Sequence, residues 1–503
     1  MRNITTLVSI PLLTLSSMSH SAEPPINLTQ LSALETAKLI CERKVTSGTV
    51  VKHWLARAQN MDAFNAFSSL IDEDKALVLA KAEDERLESG GHCLPLGGVP
   101  LAVKDNIEVK GQPNSGGTPA LTDFIPSVNA PVIDKLEAAG AIIIGKTGMH
   151  ELAFGTSGYN TSYQGPHGLG VRNSFDPDRI PGGSSSGSAA ALGARLITAA
   201  LGTDTGGSTR QPCALNSCVG FRPTVGRYSG EGVIPISYSR DTVGPMANSV
   251  DDIILLDSVI TGGKAVMPPQ ADTIRLGVPA FFWSDLHPDV KSSAESALDR
   301  LRAAGVTLIP VEMDGIEALT GAVATAVAIY EAKPALTDYL ASRGTGKTLD
   351  EVVSQISSPD VRGTFSAMVV PGMVPSADGM VPVAPLYEKA QSEGLAALSA
   401  LYEKTFADHK LDALVFPTTP EVARLSNEEA SAGPTFLRTI RNTDPGSNVR
   451  MPGLSLPVGL GPQTNLPVGV EIDGLPGSDA KLLAIGKTLE SIWGPGPQPK
   501  NLK

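Results

Sequence analysis

The chain has 503 residues, 42 % hydrophobic and 18 % charged, a globular composition that excludes a disordered or coiled-coil protein. Forty Lys and Arg against 52 Asp and Glu leave a net charge of −12, which repels phosphate backbones and argues against nucleic acid as a partner. Glycine (51) and proline (39) are plentiful but aperiodic, which suits a loop-rich enzyme rather than collagen or a linker.

At the N-terminus, Met1-Arg2-Asn3 is short and positive, and Ile4 to Leu15 is apolar apart from hydroxyls. Small residues from Ser16 to Ala22 follow, so residues 1–22 read as an export signal cut after Ser21 or Ala22. The apolar run of about 12 residues is shorter than the ~20 that cross a bilayer. The expectation is an exported mature chain, periplasmic or secreted, with no membrane span. Four cysteines (Cys41, Cys93, Cys213, Cys218) allow three full pairings that the sequence does not rank. Cys213 and Cys218, placed on one helix, would lie beyond the ~7 Å bridging limit, so that pair reads as free buried thiols.

Apolar residues at helical spacing predict helices over Leu31–Cys41, Val50–Ala58 and Asp74–Leu87. From Gly97 the texture changes to short apolar runs between glycines. Val99 to Val103, ending at Lys104, and Ala141 to Ile144 read as buried strands, with Val132–Ala139 a helix between them. That order argues for a βαβ unit and a parallel or mixed sheet. An alanine-rich helix over 185–200 follows a Gly/Ser loop. Strands are then predicted at Thr273–Val278 and Val306–Val311 around a helix at Asp289–Ala304, and later at Leu411–Phe416, Leu454–Val458 and Val468–Ile472 before a closing helix, Asp479–Leu489. The reading is one large α/β domain over 23–503, with its core at about 95–260 and 408–495 and a helical insertion or cap at about 315–405.

Three motifs mislead. Gly140 to Thr147 satisfies the phosphate-loop spelling, but three consecutive isoleucines prefer an extended strand and cannot curl around an anion. His150-Glu151 begins like a zinc-protease helix without the second histidine, so His150 reads as a surface or capping residue and no metal is expected. Gly183-Ser184-Ser185-Ser186-Gly187 spells a nucleophile elbow centred on Ser185. It follows a proline-containing loop rather than a strand, and only His287 and His409 come after it. A serine esterase of the α/β-hydrolase type using Ser185 is nevertheless the chemical alternative, and a non-catalytic binding protein is a third reading.

A different constellation is more coherent. Pro181 to Ser188 sets small hydroxyl residues directly before a helix, and Gly206-Gly207 precedes Ser208 with consecutive unobstructed N–H groups, as an oxyanion hole requires. A serine nucleophile needs a base. No histidine recommends itself, whereas Lys104, at the end of an apolar strand, would lose its proton readily in a dry cleft.

Together these residues resemble the amidase signature family of Ser-Ser-Lys amidases. The likeness covers most of residues 30–495 and is strongest from Val99 to Met246. Within the family, Gly148–Phe154 and Arg441–Ser447 look most like the mandelamide and indoleacetamide hydrolases. Ser186, Gln211 and Ser217 depart from the usual family pattern. The resemblance implies a large mixed twisted β-sheet covered by helices on both faces, and hydrolysis of small aryl- or alkyl-amides without a cofactor. Carried over by position, Ser208 is the nucleophile, Ser184 the bridging serine and Lys104 the base. Thr205, Gly206, Gly207 and Ser208 bind the oxyanion or substrate. A neutral lysine base implies an optimum above about pH 7.5. Phe154, Phe436 and Ile440 are candidates for an apolar substrate wall. Oligomeric state stays open, a homodimer included.

Overall fold

The computed structural model describes residues 26–61, 63–263 and 267–500; the expected signal, residues 1–22, lies outside the described residues. Eleven strands form one mixed sheet: β1 (Phe67–Leu70), β2 (Pro100–Lys104), β3 (Ile142–Thr147), β4 (Ala199–Asp204), β5 (Val219–Arg222), β6 (Thr242–Ala247), β7 (Arg275–Pro279), β8 (Thr307–Val311), β9 (Ala413–Pro417), β10 (Gly453–Leu460) and β11 (Pro467–Asp473). Their spatial order is β1-β3-β2-β4-β6-β5-β10-β11-β9-β7-β8. Parallel pairing joins β2 to β3 and β4, and β7 to β8 and β9; the other neighbours are antiparallel.

Alternation along the strands builds a core on each side. Leu101, Val103, Ile143 and Leu201 face one way, under the helices Pro131–Ala138, Val250–Thr261, Pro288–Ala303 and Asp479–Trp493. Ala102, Ile142, Ile144 and Ala200 face the other, under Ser47–Met61, Glu73–Glu88 and Ser186–Gly193. Side chains at successive strand positions point to opposite faces, so a fully buried strand is apolar throughout. That is why the isoleucine run of the phosphate-loop look-alike forms part of β3.

Two expectations about this region need correction. The alanine-rich helix stops at Gly193, and Ala199–Asp204 is instead the interior strand β4. Cys213 and Cys218 are not free thiols. The helix Arg210–Asn216 ends early, Ser217 takes a left-handed conformation (φ 61°), and the chain turns back until the two Cα atoms are 4.6 Å apart and the sulfurs are bonded. Cys41 and Cys93 form a second disulfide.

Strands β5 and β6 were not legible in sequence because each is interrupted by a glycine that a close neighbour requires. A methyl at Gly244 would overlap the Phe221 carbonyl, and one at Gly220 the Thr209 carbonyl. Residues 315–405 are mainly helical, led by Ile316–Ser342, with a small hairpin at Met373–Ser376 and Gly379–Pro382. They carry their own core around Leu336, Val352 and Phe365, which reaches the body of the protein through Leu152 and Ile234. Among the described residues no helix is long and apolar enough to cross a membrane.

Candidate active site

Lys104 ends β2 fully buried, and its Nζ lies 2.8 Å from Ser184 Oγ and 2.7 Å from Thr203 Oγ1. Taking an ammonium out of water disfavours the charged form. Burial brings the Lys104 amine down to about 7, against the upward pull of the Asp204 and Asp241 carboxylates. Lys104 and Ser184 are 0 % and 1 % exposed, whereas Ser208 is 9 % exposed and lines a cavity of about 600 Å³. Of these three side chains, Ser208 is the one that lines the cavity.

The loop carrying Ser184 is clamped from several sides. Ser184 O accepts from His150 N–H at 3.2 Å, and Ser185 N–H donates to Ser208 O at 3.3 Å, tying the two glycine-serine segments together. Two of the departures from the family pattern act here. Gln211 Oε1 accepts the Gly183 N–H at 2.8 Å, and Ser186 Oγ donates to Gly182 O at 2.7 Å. Ser185, the alternative nucleophile, is fully buried with its hydroxyl exchanging hydrogen bonds with Thr203 N and O at 3.2 and 3.1 Å. No strand precedes it. His287 accepts from Asp289 N–H at a helix start and His409 ends the helix Leu395–His409, so neither serves it. The elbow reading does not survive.

The segment around Ser208 turns on Asp204. Its carboxylate receives Gly207 N–H (2.8 Å), Thr209 N–H (3.1 Å), Arg210 and Arg222. Burial alone would raise this carboxyl, but Arg210 and Arg222 hold it far below the usual range. Arg210 in turn meets Glu471 on β11 and Ser447 Oγ. This distinguishes among the N–H groups of the segment expected to bind an oxyanion. The Gly207 N–H is already committed to Asp204, while those of Thr205, Gly206 and Ser208 make no hydrogen bond within the described residues. Thr205 is further fixed by its hydroxyl on Asp241 (2.6 Å), and Gly206 O accepts from Thr443 Oγ1 (2.6 Å).

Thr203, Asp204, Gln211, Asp241 and Thr443 are thus site residues to which no role was assigned from sequence, although each lies within or beside a recognised motif. The candidate wall residues Phe154, Phe436 and Ile440 all line the cavity, and Phe154 packs edge-on against Phe365 at 4.8 Å. His150, read as a surface or capping histidine, is buried and does not cap the short helix it precedes. Among the described residues no group of three or more His, Cys, Asp or Glu could hold a metal.

Comparison with known proteins agrees with this architecture. Residues 49–483 match the amidase family. The chain is 52 % identical over 476 residues to a mandelamide hydrolase of Pseudomonas putida, covering 94 % of each protein. It is 37 % identical over 468 residues to an indoleacetamide hydrolase of Agrobacterium vitis, covering 91 % of this chain and 96 % of that one. Among solved structures, an amidase superposes with a TM-score of 0.77 at 32 % identity, covering 92 % of this chain and all of that one. The native peptide amidase of Stenotrophomonas maltophilia gives 0.77 at 28 %, with 93 % and 98 % covered. A match over most of the chain at this identity shows that it belongs to the amidase family and is an amide hydrolase.

Proposed function

We propose that this amidase hydrolyses a small neutral arylacetamide through an acyl-enzyme on Ser208, with Ser184 and neutral Lys104 as the proton relay. The observation that carries the reading is an amine brought to about 7 by burial and lying 2.8 Å from the Ser184 hydroxyl, with Ser208 the one of the three groups that lines the cavity. Lys104 takes the Ser184 proton, Ser184 takes that of Ser208, and Ser208 Oγ bonds to the amide carbon. The N–H groups of Thr205, Gly206 and Ser208 receive the oxyanion. The C–N bond breaks as the relay returns the proton to nitrogen, releasing ammonia. Water then attacks the acyl ester along the reverse path, freeing the carboxylate and restoring Ser208.

The arylacetamide class rests on the two similar hydrolases, of mandelamide and of indoleacetamide, and on a mostly apolar wall that includes Phe154 and Phe436. We also propose export, supported by the N-terminal segment and by two disulfides, which persist in oxidising compartments. N-terminal sequencing of the mature enzyme should begin at or near residue 22 or 23; a mature enzyme beginning at Met1 would end that part.

A fluorophosphonate probe, which phosphonylates an activated serine with loss of fluoride, tests the mechanism. Peptide mapping should find the label on Ser208, and Ser208→Ala should abolish both labelling and amide turnover. A label on Ser185, or turnover by the Ser208→Ala variant, overturns the assignment.

A further inference from the structure

Most of the cavity wall is apolar, and its charged side chains are Arg240, Asp444 and Asp360. The first two neutralise one another in a direct ion pair. Asp360 stands apart, on the helix Pro359–Thr364 that packs over the site from the 315–405 segment. Its Oδ2 meets His150 Nε2 at 2.9 Å, and 19 % of its side chain remains open. Burial pushes the Asp360 carboxyl up, but the hydrogen bond and charge of His150 outweigh it and hold it below its ordinary value.

His150 is set in place with some care. Its Nδ1 faces Ser157 Oγ at 3.3 Å, and Ser157 Oγ lies 2.6 Å from Ser431 Oγ, which also lines the cavity. Residue 155, in the same wall, must be glycine for the ring to lie where it does, because a Cβ there would overlap the imidazole. A hydrogen-bonded rail, Asp360–His150–Ser157–Ser431, therefore runs along the wall with both ends at the cavity. A carboxylate only accepts hydrogen bonds, and one left beside an apolar ligand without a donor loses solvation and gains nothing.

We propose that Asp360, oriented by His150, is a specificity-determining residue that accepts a hydrogen bond from a hydroxyl or N–H on the acyl part of the amide. The inference rests on the arylacetamide reading above and deepens it. The site selects acyl groups that carry a donor, tolerates those that lack one poorly, and rejects those that carry an anion. A purely structural strut between residue 150 and the helix at 359 would hold the wall together without sorting substrates.

The test compares kcat/KM for three amides that differ at one position: 2-hydroxy-2-phenylacetamide, phenylacetamide and 2-carboxy-2-phenylacetamide. The wild-type enzyme should favour the hydroxyl over the unsubstituted compound by ~10–100-fold, the range of one charge-assisted hydrogen bond, and should turn the carboxylate over more slowly still. Asp360→Leu should remove most of that preference by raising KM for the hydroxyl compound well above its effect on phenylacetamide. Asp360→Asn, which keeps one carbonyl oxygen, should fall between. Equal wild-type rates on the first two amides, or a parallel loss on both in the Asp360 variants, overturns the proposal while leaving the arylacetamide reading standing. Should Asp360→Leu not fold, the wild-type ratio and the Asn variant decide alone. Wild-type failure on all three amides, with Ser208 still labelled by the probe, sinks the arylacetamide reading and this inference with it.

Discussion

Two buried lysines sit at the ends of adjacent parallel strands, Lys104 on β2 and Lys146 on β3, one register step apart. Burial depresses both amines, Lys104 to about 7 and Lys146 to about 8, where Asp105 pulls upward. Their partners differ in kind. Lys146 Nζ donates to Ile107 O (2.7 Å), Pro113 O (3.0 Å) and Asn114 Oδ1 (2.9 Å), with the Asp105 carboxylate at 3.7 Å. Every one of these only accepts, so three donors answer three acceptors. Lys104 instead faces two hydroxyls, Ser184 and Thr203, each of which can turn its own proton toward a neutral amine. Dry surroundings make a lysine easier to deprotonate, but a proposed base also needs partners able to give as well as take. Lys146 is a strut under the loop that follows β2, whereas the partners of Lys104 are those that the base proposed above requires.

Removing each amine should separate the two roles. Lys104→Ala should lower kcat/KM by at least ~10³-fold with the fold intact, as expected for loss of the base in a triad acting as a unit. Retained activity in a folded Lys104→Ala protein would dissolve the contrast at once. The pH profile comes next in size. The base must be neutral, and its neutral share grows as pH rises through about 7. The kcat/KM profile should therefore climb about tenfold per pH unit well below that value, ~50-fold between pH 5 and 7, and level off above it. A maximum near pH 5 would rule out Lys104 as the base. Lys146→Met should act on stability, lowering it by ~3–5 kcal/mol in denaturant titrations, because Asp105 and three buried oxygens lose their donor. Its surviving folded fraction should keep an acid limb at the wild-type pH.

The contrast was only half visible beforehand. Lys104 stood out because a short apolar strand ends on it, and Ser208 because two glycines clear the space before it. Lys146 was read only as part of a false phosphate loop, rejected on the bulk of Ile142 to Ile144. What stayed hidden depends on contacts between distant segments. Thr203 could not be placed while alanine propensity carried the predicted helix to residue 200 and erased β4. Propensity is a weak prior wherever neighbouring strands pack on both sides. The Cys213–Cys218 bond needed a left-handed residue at 217, which a serine does not announce. The commitment of Gly207 N–H to Asp204 follows from where Arg210 and Arg222 hold that carboxylate, and Arg210 is itself held by Glu471 on β11, 261 residues along the chain. His150 looked like half of a zinc motif because its true partner, Asp360, is 210 residues away.

The smallest effect sharpens the comparison most, because it asks whether the character of a partner, rather than burial, sets the Lys104 amine. Thr203 Oγ1 accepts from Lys104 at 2.7 Å and from Asn106 Nδ2 at 3.1 Å, so it solvates the ammonium more than the amine. Thr203→Val keeps the shape and the burial but removes that acceptor. The charged form loses support, so the acid limb of kcat/KM should move to lower pH, by less than about one unit for the loss of one such bond. The plateau above it should fall by less than ~10-fold, since Ser184 still holds the amine in line. Burial is unchanged by this substitution, so an acid limb that does not move would assign the depression to burial alone, and one that moves upward would mean that Thr203 had been supporting the neutral amine by donating to it.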